Sequence, residues 1–142
     1  MTQVSKTSII VICGDPGGAN GDCARSKKNE AMDIGTVHVF AYRQACNVMD
    51  AKTIKYSVAD EQISDLSINN LFTELQPGII ITGTSFNSID LEKKFIRIAR
   101  ERKIPCISIL DYWSNYSIRF SDKEGLLKFL PDKIAIMDKR AL

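Results

Sequence analysis

The sequence predicts an α/β domain, a parallel sheet with helices on both faces. Three observations carry this. Apolar runs that do not alternate recur at 9–13, 79–82 and 106–110, as expected of strands buried on both sides. Stretches of helical period lie between strand-like runs. Each apolar run then breaks into a short polar or glycine-bearing loop.

The elements follow in order. Residues 7–13 are the first strand, and 19–33 are expected to hold the first helix. That segment is poor in apolar residues; only Ala19, Cys23, Ala24, Ala31 and Met32 can offer a stripe to the sheet. Residues 36–42 are β-branched and aromatic, and form the second strand. A short helix or turn covers 43–50, Ile54–Lys55–Tyr56 is a brief third strand, and 57–61 is a loop. Ile63, Leu66, Leu71 and Leu75 mark one face of a helix ended by Pro77–Gly78. Residues 79–82 are the fourth strand. Ser88 is the expected cap of the next helix, with Leu91, Phe95, Ile98 and Ala99 inward and Glu92, Lys93, Arg97, Arg100 and Glu101 outward. Residues 104–110 are the fifth strand, with Pro105 tolerated only near its start. A short helix is expected within 122–130 and a sixth strand at 133–138. Strands alternating with helices imply right-handed crossovers and one parallel sheet, for which the Rossmann-like order 3-2-1-4-5-6 is expected. Residues 1–142 read as a single domain.

Composition narrows the function. Nineteen basic and seventeen acidic residues leave a net charge of +2, too balanced for a nucleic-acid surface. The basic stretches at 25–28 and 97–103 read as solvated helix faces. No apolar run approaches the ~20 residues that span a bilayer, and the N-terminus lacks a signal-peptide pattern. The four cysteines form no C-x-x-C pair, so neither a disulfide framework nor a zinc site is expected, and a cytoplasmic setting fits. His38 is the only histidine. It sits mid-strand and reads as structural, which leaves no metal cluster.

In open α/β sheets ligands bind beyond the carboxyl ends of the strands. Three loops meet at that edge: 14–20, 83–87 and 111–116. The first, Gly14-Asp15-Pro16-Gly17-Gly18-Ala19-Asn20, lets a backbone or ligand approach closely. It lacks the dinucleotide and P-loop patterns, so no cofactor is expected; a tight turn that binds nothing is the competing reading. Expected ligand contacts are Gly14, Pro16, Gly17, Gly18 and Asn20, then Gly83, Thr84 and Ser85, for which the competing and favoured reading is a helix entrance capped by Ser85 or Ser88. Tyr112, Trp113, Ser114 and Asn115 supply aromatic and polar groups suited to sugar rings, or else anchor packing. Arg119 can pair with Asp111 or meet an anion. Asp15 and Asp111 are the candidate general bases, and each can equally be a cap.

Ile-Ile-Val-Ile-Cys-Gly-Asp-Pro-Gly-Gly-Ala-Asn (9–20), Val-His-Val-Phe-Ala-Tyr (37–42), Ile-Ile-Ile-Thr-Gly-Thr-Ser (79–85), Ile-Leu-Asp-Tyr-Trp-Ser-Asn-Tyr-Ser-Ile-Arg-Phe (109–120) and Leu-Pro-Asp-Lys-Ile-Ala-Ile-Met-Asp (130–138) occur in that order. The chain resembles the N-terminal domain of bacterial GT-B proteins: glycosyltransferase-like polysaccharide-biosynthesis proteins and UDP-N-acetylglucosamine 2-epimerases. Residues 21–35 depart from the apolar-striped first helix of that family. The resemblance implies a nucleotide-sugar or glycan-acceptor cleft, with Gly17, Gly18, Asp111 and 113–116 facing it. It also implies a C-terminal donor-binding domain beyond Leu142, and so no turnover by this chain alone. The alternatives are a stand-alone binding or partner domain using the same edge, and a small flavodoxin-like nucleotide-binding enzyme.

Overall fold

Strand β1 (Thr7–Cys13) is the centre of the sheet. Its residues are apolar on both faces because both faces are covered: Ile10 and Ile12 enter one core and Ile9, Val11 and Cys13 the other. The computed structural model describes residues 7–14, 35–84, 90–110 and 118–136; the first helix expected at 19–33 lies outside them. The other strands are β2 (Gly35–Ala41), β3 (Ser57–Val58), β4 (Pro77–Thr82), β5 (Cys106–Leu110) and β6 (Lys133–Ile136). All described pairings are parallel, and the order is β3-β2-β1-β4-β5-β6. This is the expected Rossmann-like order.

Helix α1 (Gln44–Ala51) packs Ala45 and Met49 on one face of the sheet. Helices α2 (Asp65–Leu75) and α3 (Leu91–Glu101) pack on the other, where Phe72 and Phe95 meet edge-on at 5.7 Å. Each fully buried isoleucine, such as Ile10, Ile12 or Ile80, contributes about 1.5–3 kcal/mol by leaving water.

Several local expectations are corrected. The third strand is Ser57–Val58 rather than 54–56. Ile54 is held by its N–H to the Met49 carbonyl (2.9 Å) and Tyr56 by its hydroxyl to Asp50 (3.0 Å), so these residues close off α1 instead. In α2, Leu66 is exposed and Ile68 and Phe72 face the core. The Ser64 side chain accepts from the Ser67 N–H and fixes the start of the helix. Two residues before Ile68, Leu66 then points roughly 200° away from it. Helix α2 does stop before Pro77, through Gln76 at φ 46°, and Pro77–Gly78 open β4.

In α3 the cap is Asp90, not Ser88, which lies outside the described residues. Glu92 is buried rather than outward, and Ile96 joins the inner face. Strand β5 begins at Cys106, because Ile104 still donates to Ala99 of α3 (2.8 Å). Residues 122–130 form turns and no helix. Asp122 Oδ1 accepts from the Glu124 and Leu126 N–H groups (both 2.9 Å), and Gly125 turns the chain at φ 82°. An aspartate that takes up local N–H groups competes with helix formation. The described part of the sixth strand spans 133–136; residues 137 and 138 lie outside.

Candidate functional site

The carboxyl edge of the sheet is built from the exits of β1, β2, β4 and β5. Neighbouring exits are tied to each other by backbone bonds. The Gly83 N–H donates to the Ile12 carbonyl (2.9 Å), and the Tyr42 N–H to the Cys13 carbonyl (3.1 Å). At the start of α1, the Ala45 N–H donates to the Gly14 carbonyl (3.1 Å). The Thr84 hydroxyl donates to the Ile109 carbonyl (3.1 Å), joining the exit of β4 to β5.

Gly14 is a glycine for a steric reason. A Cβ there would lie 2.3 Å from Cζ of Tyr42 and 2.6 Å from its hydroxyl oxygen. The Tyr42 ring therefore packs directly against the start of the first loop. Its hydroxyl in turn donates to Glu92 Oε2 at 2.5 Å, with both residues almost fully buried (1% and 3% exposed). That length lies in the range of a phenol donating to an ionised carboxylate. Glu92 lies in the first turn of α3, where negative charge is favoured by the helix dipole. A buried carboxylate, a tyrosine and a glycine thus form one stack under the exit of β1.

Helical periodicity had placed Glu92 in solvent, and its partner is fifty residues away. A carboxylate at the start of an otherwise apolar helix face is the one signal that marks it in the sequence.

Arg119, in the 3-10 turn Ile118–Phe120, donates from Nη1 to the Thr84 carbonyl. Thr84 is thereby held from two sides. The same segment is clamped onto α3 by Lys93, whose Nζ donates to the Ser121 carbonyl (2.8 Å), lies 3.3 Å from Asp90 and sits over the Phe129 ring. Deeper in the sheet the hydroxyls of Thr82 and Ser108 share a hydrogen bond of 2.7 Å, so the polar exits of β4 and β5 carry their own partners into the core.

Of the expected site residues, Gly14, Gly83, Thr84 and Arg119 are brought to one edge. Asp15, Pro16, Gly17, Gly18, Asn20, Ser85, Asp111, Tyr112, Trp113, Ser114 and Asn115 lie outside the described residues, as does any pairing of Arg119 with Asp111. No group of three or more His, Cys, Asp or Glu residues that could hold a metal ion occurs among the described residues. No described helix is long and apolar enough to cross a membrane.

No protein-family model matches the sequence, nor does any curated protein. The fold is similar to solved structures. A putative UDP-N-acetylglucosamine 2-epimerase from Listeria monocytogenes superposes with a TM-score of 0.64 over 97% of this chain and 41% of its own, at 16% identity. UDP-GlcNAc 2-epimerase from Neisseria meningitidis, solved bound to UDP-GlcNAc, gives 0.57 over 95% and 47%, at 14% identity. MurG of Acinetobacter baumannii gives 0.57 over 72% and 34%, at 12% identity. The chain therefore spans less than half the length of each. The likeness to GT-B proteins expected from the sequence is met at the level of the fold.

Proposed function

We propose that this chain is one Rossmann-like half of a GT-B-type glycosyltransferase or sugar-nucleotide enzyme of surface polysaccharide biosynthesis. It supplies the acceptor-side wall of a cleft, and a second Rossmann domain or partner chain supplies the donor side. The observation that carries this reading is the convergence of Gly14, Gly83, Thr84 and Arg119 on the carboxyl edge, in a sheet of the order where that edge binds ligands. The similarity in fold to MurG and two epimerases supports the class.

In this reading the chain's own residues position rather than react. The tied strand exits give the cleft wall a fixed shape, so that a sugar meets preorganised backbone groups. The loops at 14–20 and 111–116 carry Asp15 and Asp111 as general-base candidates and Trp113 as a sugar-stacking surface. Closure of a second domain over the donor completes the site, and so turnover requires both halves.

Calorimetry with UDP-GlcNAc, alongside an assay for UDP release, tests this. The chain alone is expected to bind on the order of 1 mM or weaker and to release no UDP. Micromolar binding with turnover by the chain alone would refute the two-wall reading.

A second reading, a partner domain without catalysis, is favoured by one observation. Strand β6 presents Ile134 and Ile136 on one face, both exposed, and Leu126, Leu127 and Leu130 just before it are exposed as well. Exposed apolar groups of this kind mark interaction surfaces. Concentration-dependent self-association lost in Ile134→Lys, in a chain that binds no sugar nucleotide, would favour it.

A further inference from the structure

The structure holds a hollow on the α2 side of the sheet. It measures about 410 Å³ and is bounded by the end of β2, the residues after β3, and helices α2 and α3. Its apolar wall includes Phe40, Ile63, Leu71 and Phe95, and Asp60 and Glu74 also line it. That volume lies within the range of small-molecule sites, which combine an apolar body with a few placed polar groups.

The charges around it are uneven. Neighbouring carboxylates are neutralised: Glu61 lies 2.9 Å from Arg43, and Asp65 lies 2.7 Å from Arg97. Asp60 and Glu74 form no ion pair among the described residues. Asp60 Oδ1 accepts from the Gln62 N–H (2.9 Å), which closes the local turn. Of the cations on this side, Lys94 donates to the Ile63 carbonyl (3.2 Å) and Arg102 to the Asn69 carbonyl (2.7 Å), and none of Lys94, Arg97 and Arg102 lines the hollow. The hollow thus offers two exposed carboxylates that have no basic partner among the described residues, beside aromatic and aliphatic side chains.

We propose that this hollow is a binding site for a small organic cation, an ammonium group carried on an apolar body. The ammonium would be drawn to the exposed carboxylates of Asp60 and Glu74 on the lining, and the body would rest on Phe40, Leu71 and Phe95, where ring faces add a further attraction to positive charge. An anionic ligand such as a sugar nucleotide is repelled by the same two carboxylates, which separates this site from the proposed sugar cleft. The inference does not rest on the reading of that cleft.

The test is an NMR titration of the full chain with 4-phenylbutylamine, 4-phenylbutanol and 4-phenylbutanoate. The amine is expected to saturate with a Kd on the order of 1 mM, shifting resonances of Phe40, Leu71 and Phe95. The alcohol should bind about tenfold more weakly and the acid not measurably. D60N and E74Q should each weaken the amine several-fold and leave the alcohol unchanged. Asn70 is exposed on α2 and lines the hollow, so N70W closes it without touching the core and should abolish binding of the amine while the circular dichroism spectrum stays the same. Equal binding of acid and amine, no saturation by the amine, or undiminished binding to N70W would overturn the assignment. So would a dimer that N70W dissociates in the absence of amine, which would make a second copy of the chain the occupant.

Discussion

Replacing Tyr42 by Phe removes one oxygen from the core and leaves the Glu92 carboxylate, 3% exposed, without the hydroxyl that meets it at 2.5 Å. The loss of a hydrogen bond to a charged group costs about 1.5–3 kcal/mol, and the desolvated acceptor left behind keeps the cost near the middle of that range, about 2 kcal/mol. For a chain of this size that lowers Tm by roughly 5–8 °C, and with a urea slope of about 2 kcal/mol/M it moves the midpoint by about 1 M. Glu92→Met, by the same reasoning, takes the carboxylate away from the Tyr42 hydroxyl and destabilises by about 1–3 kcal/mol. The decisive quantity is the double variant. In the double variant neither partner of this bond outlives the other, and part of the loss should be recovered. Urea unfolding followed by circular dichroism measures all four states of the cycle. A coupling of about 1.5–2 kcal/mol is expected; if the two single losses simply add, the stack beneath the exit of β1 is not held by this bond.

Other outcomes follow from the same coordinates. Gly14→Ala drives a methyl into the Tyr42 ring and should cost about 1–3 kcal/mol by overpacking; Tyr42→Ala, itself destabilised, should accept Gly14→Ala with little added loss. Burial, and after it the charge of Asp132, pushes the Cys106 thiol up to about 12, so native protein at pH 8 should leave Cys106 unmodified by a thiol reagent, while the half-buried Cys46 reacts; mass spectrometry after digestion separates them. The Lys128 ammonium, and after it the Leu126 N–H, holds the Asp122 carboxyl below its ordinary 3.8. A depressed carboxylate stabilises the folded turn above its unfolded value, and that contribution is lost as pH falls through the lower folded value. The amides of Glu124 and Leu126 should therefore keep their native shifts at pH 4 and change only at more acid pH; a change centred at 4 or above would contradict the bonding at Asp122.

The fold was legible because its signal is local. Ile9 to Cys13 and Ile79 to Thr82 are apolar without alternation, and only a sheet covered on both faces uses such runs. The alternation of strand and helix then pointed to a parallel sheet of Rossmann-like order. What was not legible depends on partners distant in the chain or on very short elements. Glu92 looks like solvent-facing helix until Tyr42, fifty residues earlier, is seen beneath Gly14. Strand β3 has two residues, too few for a periodicity. Leu66 lies off the stripe Ile68, Leu71, Phe72 and Leu75 that packs on the core, and that i, i+3, i+4, i+7 spacing sets the phase that exposes it. Apolar residues at 126, 127 and 130 have the spacing of a helix, but the Asp122 carboxylate takes up the Glu124 and Leu126 N–H groups and the segment turns instead. At the site, the glycines and Thr84 were readable as strand exits, whereas the grip of Arg119 on the Thr84 carbonyl required the structure.

The most direct test of the carboxyl-edge site is an amide chemical-shift map of the full chain titrated with UDP-GlcNAc. Shifts confined to Gly14, Gly83, Thr84, Arg119 and the loops that leave β1, β4 and β5 are the expected result, with the N-terminal ends of the strands silent. Shifts that centre on the opposite edge, around Arg100, Lys103 and Pro105, would contradict it.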